Sequence, residues 1–191
     1  MSKLPAIAMI ELGSIAAGAF AADKMVKRSP VELLHAGTVH PGKFLILVGG
    51  GTAEVEESYR EAIKVASNDI LDEVFLPSVH PRLLKALEGT KNYINYNTLV
   101  VLETSTVSAI VRAVNAAAKG ALVDVAELRI ANGLGGRGLA ILTGELTDIE
   151  AATEIASQAL SGRNVTLCNS ILSNVHKQFT KKFEQSTKFF G

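Results

Sequence analysis

Apolar positions along the chain alternate between two rhythms. Short dense runs read as strands, and longer stretches with apolar residues at helical spacing read as helices. The first strand is expected at 6–12 (A-I-A-M-I-E-L), and a similar run recurs at 99–104 (L-V-V-L-E-T). A helix should follow each, with Ser14 or Thr106 placed for N-capping and its end near Lys27 or Lys119. Val31–Val39 and Phe44–Val48 form a strand pair around a Pro-Gly turn, and Val123–Ala131 and Leu139–Thr143 form another. Second helices are expected over Ala53–Ala66 and Asp148–Leu160, the latter with Ile149, Ala152, Ile155, Ala156 and Ala159 at helical spacing. Closing strands are expected at Glu73–Val79 and Val165–Leu172.

The same order of elements therefore occurs twice. Laying Ile7–Glu11 over Leu99–Glu103 brings Ala17 onto Ala109, Ala21 onto Ala113, Lys27 onto Lys119 and Val31 onto Val123. After a two-residue insertion, Gly42-Lys43 falls on Gly136-Arg137, Leu45 on Leu139 and Gly50 on Gly144. The chain reads as a tandem duplication of a β-α-β-β-α-β unit. The fold class is α+β, ferredoxin-like, with mainly antiparallel sheets and helices on one face. The expected domains are residues 5–88 and 98–177, joined by a linker near Glu88–Asn97 and followed by a tail at 178–191.

Composition narrows the function. With 19 basic and 19 acidic residues in 191, the chain lacks the basic excess a nucleic-acid partner requires. At 48% hydrophobic and 20% charged it is no disordered linker. A neutral, aromatic-poor chain has little charge to resist self-association. Met1–Ala22 imitates a signal peptide, but Glu11 interrupts its apolar core and the pattern returns in mid-chain. The longest charge-free run is too short for a bilayer, so the expectation is a soluble, cytoplasmic protein. The single Cys168 forms no internal disulfide and reads as a buried strand residue.

Gly133-Leu-Gly-Gly-Arg-Gly138 has the spacing G-x-G-x-x-G, but a strand, not a helix, follows it. A dinucleotide site needs the helix, so the segment reads as a glycine-rich turn. Its counterpart, Thr38-Val-His-Pro-Gly-Lys43, suits a type II turn. Both copies place a cation after a glycine, Lys43 and Arg137; a ring of such tips around one axis would attract anions. His35, His40, His80 and His176 show no metal spacing, and no Ser-His-Asp or Cys-His arrangement is visible. Glu11 and Glu103 recur in both halves, which favours a duplicated fold constraint over catalysis; the expectation is not an enzyme.

The stretches A-I-A-M-I-E-L-G-S-I-A-A-G (6–18), A-D-K-M-V-K-R-S-P-V-E-L-L (22–34), T-V-H-P-G-K-F-L-I-L-V-G-G (38–50) and G-L-G-G-R-G with T-G-E-L-T-D-I-E-A-A (133–152) together carry a family resemblance. The sequence resembles the tandem-domain class of bacterial microcompartment shell proteins, especially those of the propanediol-utilisation type. That resemblance implies a homotrimer whose six domains imitate a hexamer, tiled edge to edge into an organelle shell in the cytoplasm. It implies a pore lined by Val39, His40, Pro41, Gly42 and Lys43 with Gly133, Leu134, Gly135, Gly136 and Arg137, for metabolite passage. Lys27 and Lys119 match the family's tile-edge lysine. Other shell proteins and encapsulated enzymes are the implied partners, with no nucleic acid and no membrane.

In propanediol-type relatives a cysteine precedes Pro-Gly-Lys, and three copies hold an iron–sulfur cluster on the threefold axis. Here the position is His40, and clusters favour thiolates. Three readings follow: no cofactor and a polar, pH-responsive constriction, which is preferred; a single divalent ion on a ring of His40; or an iron–sulfur cluster, making the tile an electron carrier. A free ferredoxin-like regulatory domain is a more distant alternative. The tail, with Phe179, Phe183, Phe189 and Phe190 among lysines, reads as a short helix packed on its own trimer or as a docking segment.

Overall fold

The computed structural model describes residues 4–92, 97–131 and 133–188. Residues 93–96 of the expected linker, and Phe189 and Phe190 of the tail, lie outside the described residues. In the first domain the elements are β1 (Ala6–Leu12), α1 (Ile15–Arg28), β2 (Glu32–Val39), β3 (Lys43–Gly50), α2 (Thr52–Ala66), β4 (Ile70–Leu76) and α3 (Pro81–Leu87). The second repeats them as β5 (Thr98–Thr104), α4 (Val107–Gly120), β6 (Asp124–Ile130), β7 (Gly138–Gly144), α5 (Leu146–Ala159), β8 (Leu167–Ser173) and α6 (Lys177–Gln185).

Both sheets are antiparallel, ordered β2-β3-β1-β4 and β6-β7-β5-β8. The registers coincide: Glu11 lies opposite Leu45 and Glu103 opposite Leu139, and both hairpins carry an irregularity at matching places, Leu33/His35 and Val125/Glu127. Only the first domain has a further shift between Glu11 and Leu12, which leaves Leu71 unmatched and exposed.

Alternation along β1 sends its residues to two different cores. Ala6, Ala8, Ile10 and Leu12 pack with Met25 of α1 and with Val55, Ala62 and Ala66 of α2. Ile7 and Met9 join Leu45, Leu47, Val74 and Leu76 in a larger core that continues without a break into the second domain. Alanines on α1 allow that helix close to the sheet. At Gly18 even a Cβ would sit 2.5 Å from the Phe44 ring, so no larger residue fits.

Several details differ from the sequence expectation. β4 starts and ends three residues earlier than its expected range, because Pro77 lacks the N–H a strand partner needs. The turn at 38–43 is not type II: the His40–Pro41 peptide is cis, and Gly42 N donates to Val39 O at 2.9 Å across it. Gly42 does take the positive φ expected of it, +87°. Helix α3 was not anticipated, although His80 followed by Pro81 and an apolar run is a readable start signal. Cys168 is exposed, not buried, because β8 is an edge strand, its outer side uncovered by any described residue.

Candidate functional site

The loops 38–43 and 133–138 come from different domains and meet. Gly133, Gly135 and Gly136 all have positive φ, which turns the chain between β6 and β7. A Cβ on Gly136 would lie 3.0 Å from His40 O and 3.1 Å from both Pro41 Cδ and Lys43 Nζ, so the two loops touch through a glycine. His40, Pro41 and Gly42 are exposed, as are Gly133, Gly135 and Arg137, while Val39, Lys43 and Leu134 are half-buried.

The two cations are not free tips. Lys43 Nζ lies 2.6 Å from Oε1 of Glu11, whose side chain is fully buried, and Glu11 Oε2 accepts from Val107 N at 2.9 Å. Val107 is the first residue of α4, so a first-domain carboxylate caps a second-domain helix where its unpaired N–H groups and positive dipole end favour an anion. Arg137 pairs with Glu103 at the equivalent positions, but that pair is exposed. Each cation carries its own carboxylate, so the loops offer balanced charge rather than a cationic ring.

From Glu11 the junction between the domains extends along α4. Thr106 donates its hydroxyl to Asp72 instead of capping its own helix. Arg163 Nη2 lies 2.8 Å from both Asp72 Oδ1 and Glu73 Oε1, and Arg112 Nη2 donates to Glu73 O at 3.3 Å. Tyr59 donates to Glu73; burial first, and then that bond, raise its phenol above the usual range. Burial and the nearby Arg163 lower Arg112. Burial alone would lower Arg163 too, but its bonds to Glu73 and Asp72 outweigh it and raise it. Further along, Asn115 Oδ1 accepts from His80 N at 2.9 Å and Lys119 Nζ donates to Ser78 O at 2.6 Å. Lys119 is thus held at the junction, whereas Lys27 pairs with Asp23 at 2.7 Å on its own helix.

None of Asp72, Glu73, Arg112 or Arg163 was singled out from the sequence. The repeat hides them: by strand register the counterparts of Asp72 and Glu73 in the second copy are Cys168 and Asn169, and Arg112 corresponds to Phe20. Among the described residues, no group of three or more His, Cys, Asp or Glu side chains is placed to hold a metal within one chain. No described helix is long and apolar enough to cross a membrane.

His80 gives this junction a pH dependence. Its Nδ1 accepts from Arg82 N at 3.3 Å, capping α3, and only the neutral imidazole can do so. Burial, then the charges of Arg82 and Lys119, hold it below its ordinary 6.5. With the folded value depressed, its contribution is present above about pH 6.5 and lost as pH falls through the folded value. We expect Tm to drop between pH 7 and pH 5. His80→Asn, a cap that does not titrate, should reduce that drop; an unchanged profile would exclude His80 as its source.

The BMC domain model matches the chain twice, at residues 6–79 and 98–175. The chain belongs to the BMC-domain family. It is 29% identical over 177 residues to the bacterial microcompartment shell protein PduT of Citrobacter freundii, covering 93% of this chain and 96% of that one. This BMC-domain chain is also similar to a solved microcompartment protein from Desulfitobacterium hafniense, with a TM-score of 0.80 and 32% identity over 93% of this chain and 99% of that one. A fused, permuted hexameric shell protein of the RMM microcompartment shares the fold, with a TM-score of 0.60 and 21% identity over 82% of this chain and 84% of that one.

Proposed function

We propose that the chain is a structural tile of a bacterial microcompartment shell. In this reading three copies form a head-to-tail ring of six BMC domains around a central pore. The observation that carries it is a second, empty version of the junction. Inside the chain α4 lies against β1 and β4; among the described residues α1 and β8, the counterparts of α4 and β4, meet only elements of their own domains. Ile15 is 46% exposed where its counterpart Val107 is fully buried, and Val26 is 38% exposed where Ala118 is 4%. Such a junction joins unlike faces, and repeating it either closes a ring or runs on as a filament. Three two-domain chains around one axis give the six-domain ring.

On that ring the 38–43 and 133–138 loops alternate around the axis and line a passage for metabolites. Lys27 and Lys119 serve the contacts with adjacent tiles, and other shell proteins and encapsulated enzymes are the further partners. A shell role without catalysis suits what the repeat conserves: Glu11 and Glu103 hold cations and a helix end rather than a substrate.

His40 works here as a polar constriction without metal. An iron–sulfur cluster does not fit the donors, because each chain brings one imidazole and its single thiol, Cys168, lies on the edge strand β8. Light scattering of purified protein should give about 60 kDa, three chains of 20.2 kDa, with metal far below one per trimer. A monomer at micromolar concentration would overturn the ring. About one metal per trimer, lost in His40→Ala, would overturn the metal-free pore.

A further inference from the structure

Helix α6 stands on the second domain as α3 stands on the first. His80 and His176 occupy the same cap position, and each Nδ1 accepts at 3.3 Å from the backbone N–H two residues on. The preceding residues are tied alike: Val79 N donates to Pro5 O at 3.0 Å, and Val175 N to Asn97 O at 3.4 Å. The counterparts Leu87 and Phe183 each pack on a core cluster, Leu87 on the one shared by both domains and Phe183 on Leu99, Ala126 and Ile141 of its own domain.

The helices differ in what lies on their other side. Helix α3 meets the second domain: Leu83 is fully buried in the shared core, and Arg82 pairs with Asp124 of β6 at 2.8 Å. Phe179, the counterpart of Leu83, is 42% exposed, with the Phe183 ring 4.7 Å away on the same helix.

We propose that α6 is a clasp: it docks on the first domain of a neighbouring copy of this chain, laying Phe179 on the surface made by the end of α1 and the start of β2. The proposal rests on the head-to-tail ring. Three observations select this occupant. The receiving surface is the counterpart of the one α3 fills, and Leu33 stands 42% exposed there where Val125 is 5%. Charge repeats the pattern too: the exposed Glu32 stands in the place of Asp124, the acidic residue that Arg82 of α3 pairs with. The base of the clasp is fixed to its own domain, since Thr187 Oγ1 donates to Glu127 Oε1 at 3.0 Å and accepts from Arg129 Nη1 at 3.1 Å. Each copy would so cover an apolar face that no single chain can cover for itself.

The test measures the protein concentration at which the trimer half-dissociates, by mass photometry and light scattering on dilution. Phe179→Ser should raise it about 10–30-fold through lost apolar burial, with helix content unchanged by circular dichroism. Gln178 stands where Arg82 stands, and Glu32 where Asp124 stands. Gln178→Arg should therefore rebuild that ion pair across the boundary and lower the concentration about 3–5-fold, a gain that Glu32→Ala removes. A wild-type trimer indifferent to both substitutions overturns the clasp and leaves the ring standing. A wild-type chain that forms no trimer overturns the ring and the clasp together. If Phe179→Ser spares the trimer but abolishes its joining to other shell proteins, α6 serves a different partner and the clasp is overturned.

Discussion

Replacing Glu11 by alanine is expected to destabilise the folded chain by about 3 kcal/mol, at the lower end of the range for breaking one partner of a buried ion pair. Two losses add. Lys43 keeps its charge without its carboxylate, and the first N–H of α4 loses the oxygen 2.9 Å away. Lys43 is 19% exposed and can draw some water to itself, which is why the upper part of the range is not expected. In a chain of this length the change corresponds to roughly 6–12 °C in Tm. Urea denaturation of Glu11→Ala beside Glu11→Gln measures it; Gln retains an acceptor for Val107 N and should recover part of the loss. A change below about 1 kcal/mol in Glu11→Ala would mean that the buried pair does not hold the domains together.

Glu103→Ala is the same substitution in the other copy, and its expected effect is on assembly rather than folding. Within one chain Glu103 and Arg137 form an exposed pair worth about 0–1 kcal/mol. In the ring, Glu103 would take Glu11's place at the junction, accepting from Ile15 N of the neighbouring copy as Glu11 accepts from Val107 N. Removing a buried, charge-assisted acceptor costs about 2–3 kcal/mol, or roughly 30–150-fold in affinity at each junction. Glu103→Ala should thus unfold at nearly the wild-type urea midpoint as a monomer while failing to remain a trimer at micromolar concentration. A Glu103→Ala protein that stays trimeric on dilution would show that the junction between chains is built differently from the one within it.

The Glu11 and Glu103 pair also shows where a sequence stops being legible. Their recurrence, and that of Lys43 and Arg137, is visible in one dimension because duplication preserves order and spacing. That Lys43 faces inward is not visible, because its partner lies 32 positions away and becomes a neighbour only through the β1–β3 register. The ion cluster of Asp72, Glu73, Arg112 and Arg163 was invisible for a different reason. It joins the two copies instead of recurring in them, so the comparison that revealed the repeat passed over it. Cys168 reads as buried from the sequence because a strand's apolar neighbours say that it is in a sheet, not whether the sheet's edge is covered.

By itself the sequence determined the duplicated β-α-β-β-α-β order, the α+β class, and the two glycine-bearing turns. These depend on local periodicity and on backbone angles that glycine or proline permit at a given position. Tertiary structure alone decided which copy's α-helix is buried. Helices α1 and α4 hold the same place in their domains, yet α4 is enclosed by two sheets while α1 keeps an open face. The physical reason is that burial belongs to a pair of surfaces, and a chain with two copies can satisfy the pairing only once within itself.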